Sequence, residues 1–231
     1  MIDKGSAAEV SYYFIGHRNY VHGTSIFESF LDSLVHSSWY REEADGRIAV
    51  TQLKFTTELK NNGVIRLAFG DKRPFGEPTT AEMRCQVGGR RLTLSLFSKK
   101  DSPVTARAPD RDRGYFVDDL STEEFGGECV LSGITGHEGL VRGLIEANKQ
   151  VHSECLRRGT RRAFEIRWIY MRNHLLEPEK GLPTTVPVRI RNIGTKEDGT
   201  GRTYTLNKVS YTMGDRIIDF DLCFAYFEGK S

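Results

Sequence analysis

Cysteine is scarce in this sequence of 231 residues: Cys85, Cys129, Cys155 and Cys223 stand apart, with no C-x-x-C pair. That spacing excludes a zinc knuckle or a dithiol redox motif and leaves reduced, mostly buried thiols as the expectation. No apolar run approaches the roughly 20 residues that span a bilayer. Met1-Ile2-Asp3 lacks the basic and then apolar order of a signal peptide, so a cytoplasmic protein is expected. Charge of one sign is lacking too. Thirty-three basic residues against thirty-one acidic ones leave a net +2, too little to hold nucleic acid unless gathered on one face. There is no G-x-S-x-G elbow and no H-E-x-x-H helix. Residues 194 to 201 lack the G-K-[ST] end of a phosphate loop and read as a hairpin. His22, five residues beyond His17, does not have the spacing of a metal pair, and no metal is expected.

Apolar residues at 38% and charged residues at 28% suit a chain that buries a sizeable core, which excludes disorder and collagen. The length admits one large domain or two of about 115 residues. Self-similarity favours two. Tyr12-Tyr13-Phe14-Ile15-Gly16-His17 corresponds to Leu131-Ser132-Gly133-Ile134-Thr135-Gly136-His137, and the two His residues are 137 − 17 = 120 positions apart. After His17, Ile26, Phe27, Phe30, Leu31, Leu34 and Val35 recur at helical spacing. After His137, Leu140, Val141, Leu144, Ile145, Val151, His152, Cys155 and Leu156 do the same.

Period-two runs follow each helix. In the first half they are Leu53 to Leu59, Ile65 to Phe69, Met83 to Val87 and Leu92 to Leu96. In the second half they are Phe164 to Tyr170, Val186 to Ile190, Tyr204 with Leu206, and Ile218 to Tyr226. Gly88-Gly89 and Gly214-Asp215 mark a tight turn before the last strand of each half. Lys99-Lys100-Asp101, the charged Asp110-Arg111-Asp112-Arg113 and Gly126-Gly127 give residues 99–128 a linker composition. The expected division is a first domain over 1–98, a linker over 99–128 and a second domain over 129–231.

A helix followed by antiparallel strands, twice over, resembles the hotdog fold. Gly16-His17-Arg18-Asn19-Tyr20, with Phe27-Glu28 downstream, resembles the opening of the 4-hydroxybenzoyl-CoA-type thioesterases. Gly136-His137 with Glu146-Ala147-Asn148-Lys149-Gln150 resembles the Gly-His and helical E-A-x-x-Q of the β-hydroxyacyl-ACP dehydratases. The resemblance implies an α+β double hotdog, two tandem curved antiparallel sheets each wrapped around a central helix. It further implies that an acyl thioester, on coenzyme A or on the phosphopantetheine of an acyl carrier protein, binds at the seam between the halves. No other cofactor is implied, nor any nucleic-acid or membrane partner; a homodimer of double hotdogs is compatible with the family.

Thioester chemistry needs donors that polarise the carbonyl and a group that moves a proton. Backbone amides at Gly23-Thr24 and Gly139-Leu140 are expected at helix starts, where the dipole favours a developing oxyanion. Glu28, between Phe27 and Phe30, is either a general base raised by partial burial or, in Ser25-Ile26-Phe27-Glu28, the Glu of a capping box. Glu146 is either catalytic, as the dehydratase resemblance suggests, or a partner of Arg142 or Gln150. His17 and His137 act as acid or base, or hold their loops by hydrogen bonds. Asn19 and Tyr20 orient substrate or close the turn. Arg157 to Arg162 either grip phosphates or form a solvated basic turn. The thioesterase pattern is broken where its Asp, three residues before Gly-His, is replaced by Tyr13 and Gly133. Hydrolysis by a helix Glu is the leading expectation; dehydration of a β-hydroxyacyl thioester and acyl binding without catalysis are the alternatives.

Overall fold

A computed structural model describes residues 7–37, 40, 47–70, 78–109, 115–124, 126–157, 164–177, 182–200 and 202–228. The chain divides into two compact units. Met1–Arg113 with Leu175–Pro178 form the first; Gly114–His174 with Glu179–Ser231 form the second.

The first unit contains β1 (Ala7–Val10), β2 (Phe14–Ile15), α1 (Gly23–Val35), β3 (Ile48–Phe55), β4 (Asn61–Phe69), β5 (Ala81–Val87), β6 (Arg90–Pro103) and β7 (Arg107–Ala108). Its antiparallel sheet runs β1-β4-β6-β5-β3, and β2 and β7 form a short parallel pair. Most of the apolar spacing read from the sequence is buried, with Val35, Phe55 and Phe69 half-buried. Ile26, Phe27, Phe30, Leu31 and Leu34 of α1 are buried, as are Ile65, Leu67, Met83, Cys85, Leu92, Leu94 and Leu96 of the strands. Full burial of side chains such as Phe27 and Phe30 stabilises by about 1.5–3 kcal/mol each. Gly88 and Gly89 make the β5–β6 hairpin, both at positive φ.

The second unit contains β8 (Phe116–Glu123), β9 (Gly126–Ser132), α2 (Gly136–Arg157), β10 (Phe164–Leu176), β11 (Thr185–Glu197), β12 (Thr203–Met213) and β13 (Arg216–Glu228). Its sheet runs β10-β13-β12-β11-β9-β8, antiparallel throughout. The helix packs against β8, β9 and β11. Asp198 closes the β11–β12 hairpin by accepting the Thr200 hydroxyl at 2.6 Å and the Thr200 and Arg202 amides at 2.9 and 3.1 Å, and these bonds, the hydroxyl's first, hold its carboxyl down at about 2.

Three expectations change. Residues 99–128 are not an unstructured linker: β6 continues to Pro103, and β7, β8 and the start of β9 lie in this stretch. Strand β8 sits at the sheet edge with alternating exposed positions, and a polar edge strand has the composition of a loop. The inward face of β12 is reversed: Thr205, Asn207, Val209 and Tyr211 are buried, while Tyr204 and Leu206 are half-buried. Strand β3 ends at Phe55, so Thr57 and Leu59 lie beyond it, although Leu59 is buried.

Close backbone contact explains Gly126. A Cβ there would lie 2.1 Å from the Ile190 carbonyl oxygen and 3.1 Å from the Arg191 Cα, both on the paired strand β11. Gly126→Ala is therefore expected to destabilise by about 1–3 kcal/mol, lowering Tm by roughly 2–10 °C in a scanning melt. An unchanged melt would show that the two strands separate at no cost.

Candidate functional site

In the first unit the Gly16-His17 loop is pinned by the β2–β7 pair. Phe14 and Gly16 donate to the Ala106 and Ala108 carbonyls at 3.0 Å each. The Arg107 guanidinium donates to the Gly16 carbonyl and, at 2.8 Å, to that of Arg18, while lying 5.5 Å from the centre of the Phe14 ring. This residue falls in the stretch read as linker, so sequence reasoning missed its role. The loop presents His17 and Asn19 to solvent. Tyr20 is half-buried, stacked on His22 with centroids 6.3 Å apart, and Arg18 contacts the His22 ring.

Helix α1 then starts at Gly23, with His22 as its N-cap and no side-chain cap bond. Ile26 N–H bonds to the His22 carbonyl, so the amides of Gly23 and Thr24 belong to the unpaired first turn, as expected. The capping box is excluded: Ser25 is the third helical residue and is buried, while Glu28 is the sixth and half-buried. Buried Tyr12 stands close to Ser29 of this helix; desolvation pushes its phenol up to about 12 and Ser29 counteracts part of that rise.

In the second unit Gly136 is itself the first residue of α2. Gly16 and Gly136 share a left-handed backbone, with φ of 59° and 66°, so the repeated Gly-His pair is repeated in conformation. Their settings differ, since His17 lies on a loop and His137 is buried in a helical turn. The earlier helix start also corrects the placement of the oxyanion donors. Gly139 and Leu140 are the fourth and fifth residues, where amides bond within the helix, and the first-turn amides, which point out of the helix start, are those of Gly136, His137 and Glu138.

Glu146 is half-buried and accepts from the Gln150 Nε2 at 3.3 Å. Arg142 pairs with Glu138 at 2.7 Å. Nine residues separate His137 from Glu146, which is half a turn in phase and roughly 13 Å along the axis. The two therefore project from opposite sides of α2 and do not form one acid–base pair within this unit.

The buried face of α2 carries polar groups that the sequence presented only as helical spacing. Asn148 is fully buried and His152 is 6% exposed. The His152 Nε2 is 2.8 Å from Asn207 Oδ1, and the Asn207 amide donates to Thr205 Oγ1 at 3.3 Å. His174, on β10, is 1% exposed, 2.9 Å from the Tyr211 hydroxyl through Nε2 and stacked on Phe220 with centroids 4.2 Å apart. Burial pulls both imidazoles down, His152 to about 4 against its Asn207 bond, His174 to about 3 with a further push from His137. Cys85, Cys129 and Cys223 are buried free thiols, raised by desolvation to about 12, 11 and 11. Among the described residues no group of His, Cys, Asp or Glu has the arrangement of a metal site. No helix is long and apolar enough to cross a membrane among the described residues. The basic run from Arg158 to Arg162 lies outside the described residues, as does the side chain of Arg157.

No family model matches the sequence, and no curated protein matches it. Solved structures do match in fold. A hot dog fold protein of unknown function from Alicyclobacillus acidocaldarius is 12% identical, with a TM-score of 0.51 over 97% of this chain and 93% of that one. A candidate thioesterase II from Thermobifida fusca is 13% identical, with a TM-score of 0.52 over 99% of this chain and 93% of that one. A trans-acyltransferase polyketide synthase enoyl-isomerase is 9% identical, with a TM-score of 0.50 over 96% of this chain and all of that one. A helix and an antiparallel sheet in each unit, together with likeness along nearly the whole length of these proteins, establish that the chain has the hot dog fold.

Proposed function

We propose that the chain is a tandem pair of hot dog units acting on an acyl thioester of coenzyme A or of an acyl carrier protein, and that its reaction is hydrolysis. The observation that carries this is a half-buried carboxylate on each helix at the margin of the apolar face. Glu28 follows buried Phe27 in α1, and Glu146 follows buried Ile145 in α2. Such a margin serves an apolar acyl group on one side and water on the other. The carboxylate takes a proton from water as the water oxygen bonds to the carbonyl carbon. The C–S bond then breaks, and the departing thiolate takes up that proton. Free amides of Gly23 and Thr24 lie at the positive end of α1, where they favour the oxyanion. Likeness to a candidate thioesterase II supports the assignment.

One observation favours dehydration as a second reading. Gln150 holds the Glu146 carboxylate in a fixed orientation, which suits moving a proton from the α-carbon of a β-hydroxyacyl thioester to its departing hydroxyl. A panel of acyl-CoA and acyl-carrier substrates separates these cases. Released thiol supports hydrolysis. Loss of water with the thioester intact moves the assignment to dehydration, binding without turnover makes the chain an acyl-binding protein, and no binding at all overturns the proposal.

A further inference from the structure

A trough of about 680 Å³ crosses the sheet of the second unit on the face turned away from α2. The helix identifies the two faces. A Cβ on Gly127 of β9 would lie 3.0 Å from the Val151 side chain of α2, and one on Gly143 of α2 would lie 3.0 Å from the Leu131 side chain of β9. Successive strand residues point to opposite faces, so Glu128 and Val130 point away from the helix. The register then lays out two rows side by side. Val130 opposite Pro187, and Thr212 opposite Ile217, form an apolar row. Two residues along the strands, Ser121 opposite Glu128, Glu128 opposite Arg189 and Ser210 opposite Asp219 form a polar row, about 7 Å from the first. The rows run across β13-β12-β11-β9-β8, four strand spacings of about 4.8 Å each, or about 19 Å.

Both ends of this face expose apolar side chains. Ile217 on β13 is 72% exposed, and Phe116, opposite Ser132 on β8, is 66% exposed. The charge is one-sided as well. Among the described residues three carboxylates, Asp119, Glu128 and Asp219, line the trough against the guanidinium of Arg189, which Glu128 engages at 3.3 Å. Negative charge is thus gathered here on a chain whose net charge is +2.

We propose that the trough docks a basic amphipathic helix of a partner protein. Adjacent apolar and acidic rows call for a ligand whose apolar and cationic groups lie side by side on one surface. A helix carries them as neighbouring stripes, whereas a strand sends alternate side chains to opposite faces. A length of about 19 Å takes about 13 helical residues. The apolar stripe covers Val130, Pro187 and Ile217, and the cations of the next stripe meet Glu128 and Asp219. A second copy of this chain fits poorly, because two such faces would set like charges against each other. Neither Glu28 nor Glu146 lines the trough, so the proposal is independent of the thioester assignment.

The test titrates two fluorescein-labelled helical peptides of about 13 residues into the full chain, read by fluorescence anisotropy. One carries a leucine stripe beside a lysine stripe; the other has glutamates in place of the lysines. The lysine peptide is expected to bind about tenfold or more tightly than the glutamate peptide. Ile217→Ser and Asp219→Lys should each weaken it by about tenfold or more, with Tm unchanged because both side chains are exposed. Asp101→Lys, exposed in the first unit, alters the net charge as much as Asp219→Lys does and should leave the affinity unchanged. Failure of the lysine peptide to bind, equal binding of the two peptides, indifference to both trough variants, or an equal loss in Asp101→Lys overturns the proposal. Sedimentation of the peptide-free chain supplies the last arm: a dimer that Ile217→Ser dissociates would assign the face to a second copy and overturn it too.

Discussion

Glu146→Gln is expected to lower thioester turnover by about 100- to 10,000-fold with little change in KM, the loss typical of removing a positioned general base. The substitution keeps the shape of the side chain and still offers an oxygen to Gln150, so the helix has no reason to rearrange. Glu28→Gln tests the same role on α1. The two units differ at the Gly-His element, where Arg18 follows His17 but Glu138 follows His137. Comparison of the two variants therefore identifies the active unit. Steady-state kinetics with a single acyl-CoA is sufficient, and near-normal turnover in both variants would eliminate a helix carboxylate as the base.

Acidification is expected to destabilise the protein steeply below pH 6.5, through His152 and His174. In the unfolded chain each imidazole takes a proton near 6.5, whereas the folded chain holds them back to about 4 and about 3. Between those values the unfolded state binds more protons, so stability falls as the pH falls; above 6.5 both states are neutral and neither group contributes. For His152 the difference of 6.5 − 4 = 2.5 pH units corresponds to about 3 kcal/mol once pH 4 is reached. His174, more deeply buried, adds a loss of the same sign. Urea titrations at pH 7.5, 6 and 5 read the slope directly. His174→Phe should flatten it while keeping a ring against Phe220, at the cost of the Tyr211 hydroxyl's partner. A wild-type stability that does not change from pH 7.5 to 5 would contradict the burial of both rings.

The sequence announces some of this and hides the rest for physical reasons. Apolar spacing from Ile26 to Leu34 locates α1, and the Gly88-Gly89 and Gly214-Asp215 pairs locate two hairpins, because helix period and turn geometry are local properties. Strand β8 is invisible because an edge strand needs no apolar alternation, and its acidic residues mimic a linker. In β12 the apolar pair Tyr204 and Leu206 suggested the wrong inward face. The core accepts Thr205 and Asn207 there because Asn207 bonds to both His152 and Thr205, a tertiary arrangement that no local rule predicts. At the candidate site the Glu146–Gln150 pair follows from helical spacing. The burial of His137 and the two hydrogen bonds from the Arg107 guanidinium to carbonyls of the Gly16 loop depend on distant chain segments and are not legible in the sequence.

The same strand β8 has a consequence for self-association. Its pairing with β9 slips between Asp118 and Ser121, Asp119 adopts a left-handed φ of 51°, and Asp118, Asp119 and Glu123 are exposed along it. A rim so kinked and negatively charged cannot template a further ladder from a second molecule. The irregularity acts as a guard against intermolecular zippering and fibril growth at this end of the sheet.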